Sequence, residues 1–204
     1  MSKYDSEFES IILEDRGYLL ISSVEAHGIY RRYAYEYLSE HPEIKKLGKG
    51  IYCTPLAIPD MMYVVSRRNK KAVLSHQSAL YLNDLIPSNP LRIALTVPGD
   101  YMRAHIDPNN YDVYRCKEDY ISVGRVQMLT KLGNPVIAYD RERAVLDAIR
   151  ELKRAHRYED ELAVSRAIRL YFQNDEFRDL PKLYQYADIF NCRDMVKTCA
   201  DILL

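Results

Sequence analysis

The 204-residue chain has no tryptophan and only seven glycines. So few glycines leave little material for a phosphate-cradling loop, and GxxxxGK[ST], GxSxG and HExxH are all absent. No convergent carboxylates and no nucleophile–base pair stand out, so an enzyme acting on nucleotides or nucleic acid is not expected. No catalytic residue, metal ligand or cofactor is assigned. With 18 tyrosines, four phenylalanines and no tryptophan, tyrosine must fill core positions, and a tyrosine alone says little about binding. The formal net charge is zero, which removes any global signature of nucleic-acid binding and leaves only local charge to argue from.

Other absences narrow the class further. Cys53, Cys116, Cys192 and Cys199 show no CxxC spacing and no histidine at ligand spacing. On one helix, Cys192 and Cys199 would stand about 10 Å apart along the axis, too far for a disulfide. Reduced cysteines in a cytoplasmic protein are therefore expected. The N-terminal MSKYDSEFES is acidic and lacks the apolar core of a signal peptide. No apolar run approaches the roughly 20 residues that span a bilayer, so no membrane partner is expected.

What is present begins with alternating helix and turn signals. Ser6 and Glu9 form a possible capping box, followed by Phe8, Ile11 and Ile12 at helical spacing and a stop at Gly17. After YLLI, a short strand or extended connection, Ser22 and Glu25 predict a second capped helix that ends at Gly28. A third helix follows at once. At about 100° per residue, Tyr30, Tyr33, Ala34, Tyr37 and Leu38 share one arc, while Arg31, Arg32, Tyr35, Glu36 and Ser39 share the other. Three tyrosines thus read as core, leaving Arg31, Arg32 and Tyr35 on an exposed face able to meet base edges or phosphates. Pro42 closes this helix. Ile44, Leu47 and Ile51 then flank Gly48-Lys49-Gly50, the signature of a hairpin. This order is that of a winged helix-turn-helix, whose third helix enters the major groove while the hairpin meets flanking backbone. Local charge agrees: residues 1–27 hold two basic against six acidic residues, and residues 28–50 hold five against three. Lys45, Lys46 and Lys49 place that positive charge on the wing, and screening over about 8 Å keeps phosphate attraction local.

The remainder predicts a larger second domain. A helix begins near Asp60, with Met61, Met62, Val64 and Val65 on its apolar side. It runs into SRRNKK, whose Arg67, Arg68, Lys70 and Lys71 are either a solvated loop or a second phosphate-contacting patch. Ser75 reads as an N-cap and His76 as a structural residue. RIALTV, YDVYRC, YISVGRVQML and NPVIAYD read as strands of a mixed or antiparallel sheet over about 91–140. His105 and Asp107 fall in a loop-like stretch without a third partner. From Asp140 onward, four amphipathic helices form a layer, with Val145, Leu146, Ile149, Leu152, Leu162, Ile168 and Tyr171 or Phe172 on core faces. The expected class is α+β, with a winged helix-turn-helix at 1–55 and a second domain at 56–204.

Taken in order, LGKGIYCTP, AVLSHQSALYLNDL, RIALTVP and YDRERAVLDAIR make the chain resemble the AbiEi-type antitoxins of bacterial abortive-infection operons, a type IV toxin–antitoxin system. The likeness spans nearly the whole chain. It implies a winged helix that binds promoter repeats in double-stranded operator DNA and represses its own operon. It also implies a C-terminal domain that counteracts a nucleotidyltransferase-like toxin. The operator contacts it implies can be placed here on Arg31, Arg32, Lys45, Lys46 and Lys49. The chain is expected to be a monomer in solution with more than one copy on DNA. The alternative is a protein-interaction module that sequesters its toxin directly and has little DNA role.

Overall fold

The computed structural model describes residues 4–101, 106, 110–152 and 161–204; His105 and Asp107 lie outside the described residues. The chain divides into two compact units, Met1–Arg68 and Asn69–Leu204.

The first unit runs α1 (Asp5–Glu14), β1 (Tyr18–Leu20), α2 (Ile21–Ala26), α3 (Arg31–Glu40), β2 (Lys45–Gly48), β3 (Ile51–Cys53) and α4 (Met61–Arg68). The three strands form an antiparallel sheet in the order β1-β3-β2. Phe8, Ile11, Val24, Ile29, Ala34 and Tyr37 pack into one core, where the Phe8 and Tyr37 rings lie 4.7 Å apart. This is the winged-helix arrangement, with Lys49-Gly50 at the tip of the β2–β3 hairpin.

Two expectations for this unit are corrected. Neither capping box forms: α1 is capped by Tyr4 and α2 by Leu20, both without a side-chain hydrogen bond. Each helix starts one residue before its serine, so Ser6 bonds Glu7 and Ser22 accepts from Arg67 instead. The boundary expected at 55/56 falls at 68/69, because α4 is part of the first unit's core. The Asp60 N–H donates to the Tyr18 hydroxyl at 2.9 Å, the Tyr18 and Tyr63 rings meet edge to face, and the Asp60 carboxylate caps α4 through the Tyr63 N–H.

The end of α1 is a tightly constrained turn. Arg16 (φ 56°) and Gly17 (φ 88°) are both left-handed, and the Gly17 N–H reaches back to the Ile12 carbonyl at 2.7 Å. A Cβ on Gly17 would fall 2.6 Å from the Ala57 Cβ. Gly17→Ala is therefore expected to cost about 1–3 kcal/mol, the usual strain of a non-glycine residue held there. The urea midpoint should fall while the slope stays constant; an unchanged midpoint would contradict the geometry.

The second unit runs β4 (Val73–Leu74), α5 (His76–Leu82), β5 (Ile93–Pro98), β6 (Tyr111–Cys116), α6 (Glu118–Ile121), β7 (Arg125–Leu129), β8 (Pro135–Tyr139), α7 (Arg141–Leu152), α8 (Glu161–Gln173), α9 (Leu180–Ile189) and α10 (Arg193–Leu203). Its sheet is mixed, in the order β6-β5-β4-β8-β7. β5–β6 and β4–β8 pair parallel, whereas β4–β5 and β7–β8 pair antiparallel. Helices α7–α10 cover the sheet through a shared core that includes Val145, Ile149, Val164, Phe172, Leu183 and Val196. The class is α+β, as the patterns imply. YISVGRVQML is not one strand: α6 takes its start, Gly124 turns the chain at φ 73°, and only Arg125–Leu129 pairs. Leu162 is exposed rather than core. Two residues before Val164 is about 200° around the helix, so Leu162 faces away from the buried stripe. Among the described residues, no helix is long and apolar enough to cross a membrane.

Candidate nucleic-acid interface

α2 and α3 are joined by a turn in which Gly28 adopts φ 76° and the Ile29 N–H bonds back to Val24. This turn presents the start of α3. Ala34 and Tyr37 are buried, Tyr33 is half-buried with its ring 4.9 Å from that of Tyr4, and Arg31, Arg32 and Tyr35 are exposed. Tyr30 departs from the expected core and is 76 % exposed. It precedes the helix in an extended conformation (φ −66°, ψ 135°), so the helical angle does not apply to it, and Ile29 fills the core in its place. The sequence-level wheel thus missed Tyr30 as a surface residue; its place just before a helix start was the available signal.

The first turn of α3 breaks a local rule. The positive end of a helix dipole favours acidic residues, yet Arg31 and Arg32 stand there, with no side-chain cap. The helix forms in spite of these residues, which the dipole does not favour there. Both side chains have partners within the unit: Arg31 Nε pairs with Glu25 at 2.9 Å, and the Arg32 guanidinium donates to the Tyr33 hydroxyl. The Arg31–Glu25 pair is exposed, and such pairs contribute about 0–1 kcal/mol. Leaving Glu25 for another partner therefore costs Arg31 little. Glu36 and Glu40 make the far end of α3 acidic and exposed, confining any phosphate attraction to its beginning.

The wing carries Lys45, Lys46 and Lys49, all exposed. Lys46 pairs across the ladder with Tyr52. Burial pushes the Tyr52 phenol up, and Tyr35 adds to the rise. Arg67 and Arg68 close α4. The stem of Arg68 lies along the wing strand, since a Cβ on Gly48 would meet its Cδ at 2.9 Å. Arg67 reaches Ser22 at the start of α2 over 3.3 Å. Arg31, Arg32, Tyr35, Lys45, Lys46, Lys49, Arg67 and Arg68 all belong to the first unit, whereas Lys70 and Lys71 are exposed residues that open the second unit. The expected basic loop is in part a helix end.

The second unit holds a buried ionic centre that the sequence did not reveal. Asp140 caps α7 by accepting from the Arg143 N–H at 2.9 Å. One turn on, the Arg143 side chain is only 2 % exposed. Its guanidinium bonds Asp147 at 3.0 Å and the carbonyls of Tyr120 and Val123 at 2.9 Å, between the rings of Tyr139 and Phe190. Arg150 takes the other Asp147 oxygen at 3.2 Å. A second cluster joins Lys182 to Asp140 and Glu142, with the Tyr186 hydroxyl donating to Asp140. Among the described residues, no group of three or more His, Cys, Asp or Glu residues could hold a metal ion.

No family model and no curated protein matches the chain. Among solved structures, it is similar to the RV2827C protein from Mycobacterium tuberculosis at 13 % identity, covering 98 % of this chain and 82 % of that one with a TM-score of 0.47.

Proposed function

We propose that the chain is a DNA-binding autorepressor and antitoxin. In this reading the winged helix of the first unit binds promoter repeats in double-stranded DNA, and the second unit counteracts a nucleotidyltransferase-like toxin. The observation that carries the DNA half is the start of α3, where Tyr30, Arg31, Arg32 and Tyr35 are exposed next to a lysine-bearing wing. The toxin half rests on the motif resemblance to AbiEi-type antitoxins. Recognition would follow the usual division of labour, with α3 reading base edges and the wing and Arg68 holding phosphates.

A reporter driven by the DNA upstream of the gene tests repression, and co-expression with the adjacent reading frame tests rescue of growth. Repression without rescue would leave only the DNA half standing. Rescue with a stable stoichiometric complex and no repression would favour direct sequestration of the toxin. Lys49→Ala is expected to weaken binding by a similar factor on every duplex and to lower the salt slope by about one counterion. A change confined to sequence preference would contradict the placement of Lys49 against phosphate.

A further inference from the structure

A polar cavity of about 250 Å³ opens within the second unit among β5, β6, α6 and α7. His76 and Tyr114 form one wall, their rings stacked at 3.4 Å and 12° from parallel. His76 is buried and held at φ 49°, a left-handed conformation rare for a side-chain-bearing residue, with its Nδ1 2.9 Å from the Ser75 hydroxyl. Backbone strain of this kind gathers where a side chain must be held at a working position. Thr96 also faces the cavity. Its hydroxyl is buried, with capacity left to bond a ligand. It stands beside the buried Tyr139 phenol and tempers the burial-driven rise of that group's pKa.

Charge selects the occupant. Arg115, Lys117, Arg143 and Arg150 line the cavity against Asp147 and Glu151 alone. Both Asp147 oxygens are already taken by Arg143 and Arg150, which neutralises the more central carboxylate. Lys117 is exposed at the mouth, and Arg115 is steadied there by the carbonyls of Gly99 and Tyr101. The result is a net positive, partly aromatic recess. Its volume lies just below the roughly 300–1,000 Å³ of pockets for drug-sized ligands, which limits the occupant to about one nucleotide.

We propose that this cavity binds a phosphate monoester carried on a small flat body, of the mononucleotide class. The phosphate meets Lys117 and Arg150, the body packs against the His76–Tyr114 pair, and a polar edge bonds the Thr96 hydroxyl. Charge-assisted hydrogen bonds to phosphate are the strong terms in such a site, and the flat wall adds selectivity.

Calorimetric titration of the full chain with adenosine and uridine monophosphates, the parent nucleosides and inorganic phosphate tests this. At least one monophosphate is expected to bind saturably, with its nucleoside and inorganic phosphate each weaker by about tenfold or more. Lys117→Glu and the near-isosteric Thr96→Val should each weaken that binding by about tenfold, while α7 keeps wild-type amide protection. No saturable binding at millimolar concentration, or affinities unaltered in both variants, would overturn the site. Inorganic phosphate binding as tightly as the nucleotides would overturn the role of the aromatic wall. DNA binding by the first unit is read separately, so failure here leaves that reading intact.

Discussion

Arg143→Ala is expected to destabilise the second unit by about 3–5 kcal/mol, the range for removing one partner of a buried ion pair. Asp147 is 3 % exposed, so its carboxylate would remain buried with only Arg150 opposite. The Tyr120 and Val123 carbonyls would lose their donor at the same time. Two ring faces, those of Tyr139 and Phe190, would border a void. Arg143→Lys should recover little, because a point charge cannot make the same fork of hydrogen bonds or stack between two rings. The paired replacement Arg143→Met with Asp147→Leu should recover only the part due to the stranded carboxylate, since the Tyr120 and Val123 carbonyls stay without that donor. Amide exchange in α7 reads this unit separately. A loss below about 1 kcal/mol for Arg143→Ala would mean that the centre is more solvated than its burial implies.

Combined Arg31→Ala and Arg32→Ala substitution is expected to weaken operator binding on the order of 100-fold, from about 1–3 kcal/mol per base contact. Releasing Glu25 offsets little of this, because the exposed pair it makes with Arg31 is worth at most about 1 kcal/mol. Stability should stay within about 0.5 kcal/mol of wild type, as both side chains are on the surface at a helix end where positive charge is disfavoured. Anisotropy titration alongside urea denaturation separates the two effects. Equal affinity for wild type and double variant at moderate salt would remove α3 from the interface.

Much of the first unit is legible in the sequence, because several of its elements end at a residue that forces the end. Gly17, Gly28 and Pro42 mark helix stops, and Gly48-Lys49-Gly50 marks the hairpin. The helical wheel sorted Ala34, Tyr35 and Tyr37 correctly but misplaced Tyr30, since periodicity holds only once the helix has begun. The serine capping boxes failed for a related reason. Their spacing is right, but tertiary packing starts each helix one residue earlier. The domain boundary was read too early because α4, beyond two prolines, looks detached in sequence, whereas the Tyr18–Asp60–Tyr63 contacts tie it to the winged helix. β4, only two residues long at the centre of the second sheet, is below the length at which alternation can be seen.

The ionic centre of α7 was hidden more deeply. Arg143, Asp147 and Glu151 recur every fourth residue, the ordinary pattern of a solvated helix face, since charged residues are seldom fully buried. Tyr139 of the sheet, the Tyr120 and Val123 carbonyls and Phe190 make that face interior. The cavity beside it draws on residues from His76 to Phe190, a constellation with no local spacing to betray it.

The central claim, that α3 and its wing read a DNA sequence, is tested most directly by one competition. A duplex from the region upstream of the gene and a scrambled duplex of the same length are titrated with the full chain at several salt concentrations. The account predicts tighter binding to the upstream duplex at every salt, with both affinities falling linearly in log–log form. It also predicts that the preference collapses in the Arg31→Ala, Arg32→Ala variant. Equal affinity for the two duplexes, or a preference that survives the double variant, would contradict it.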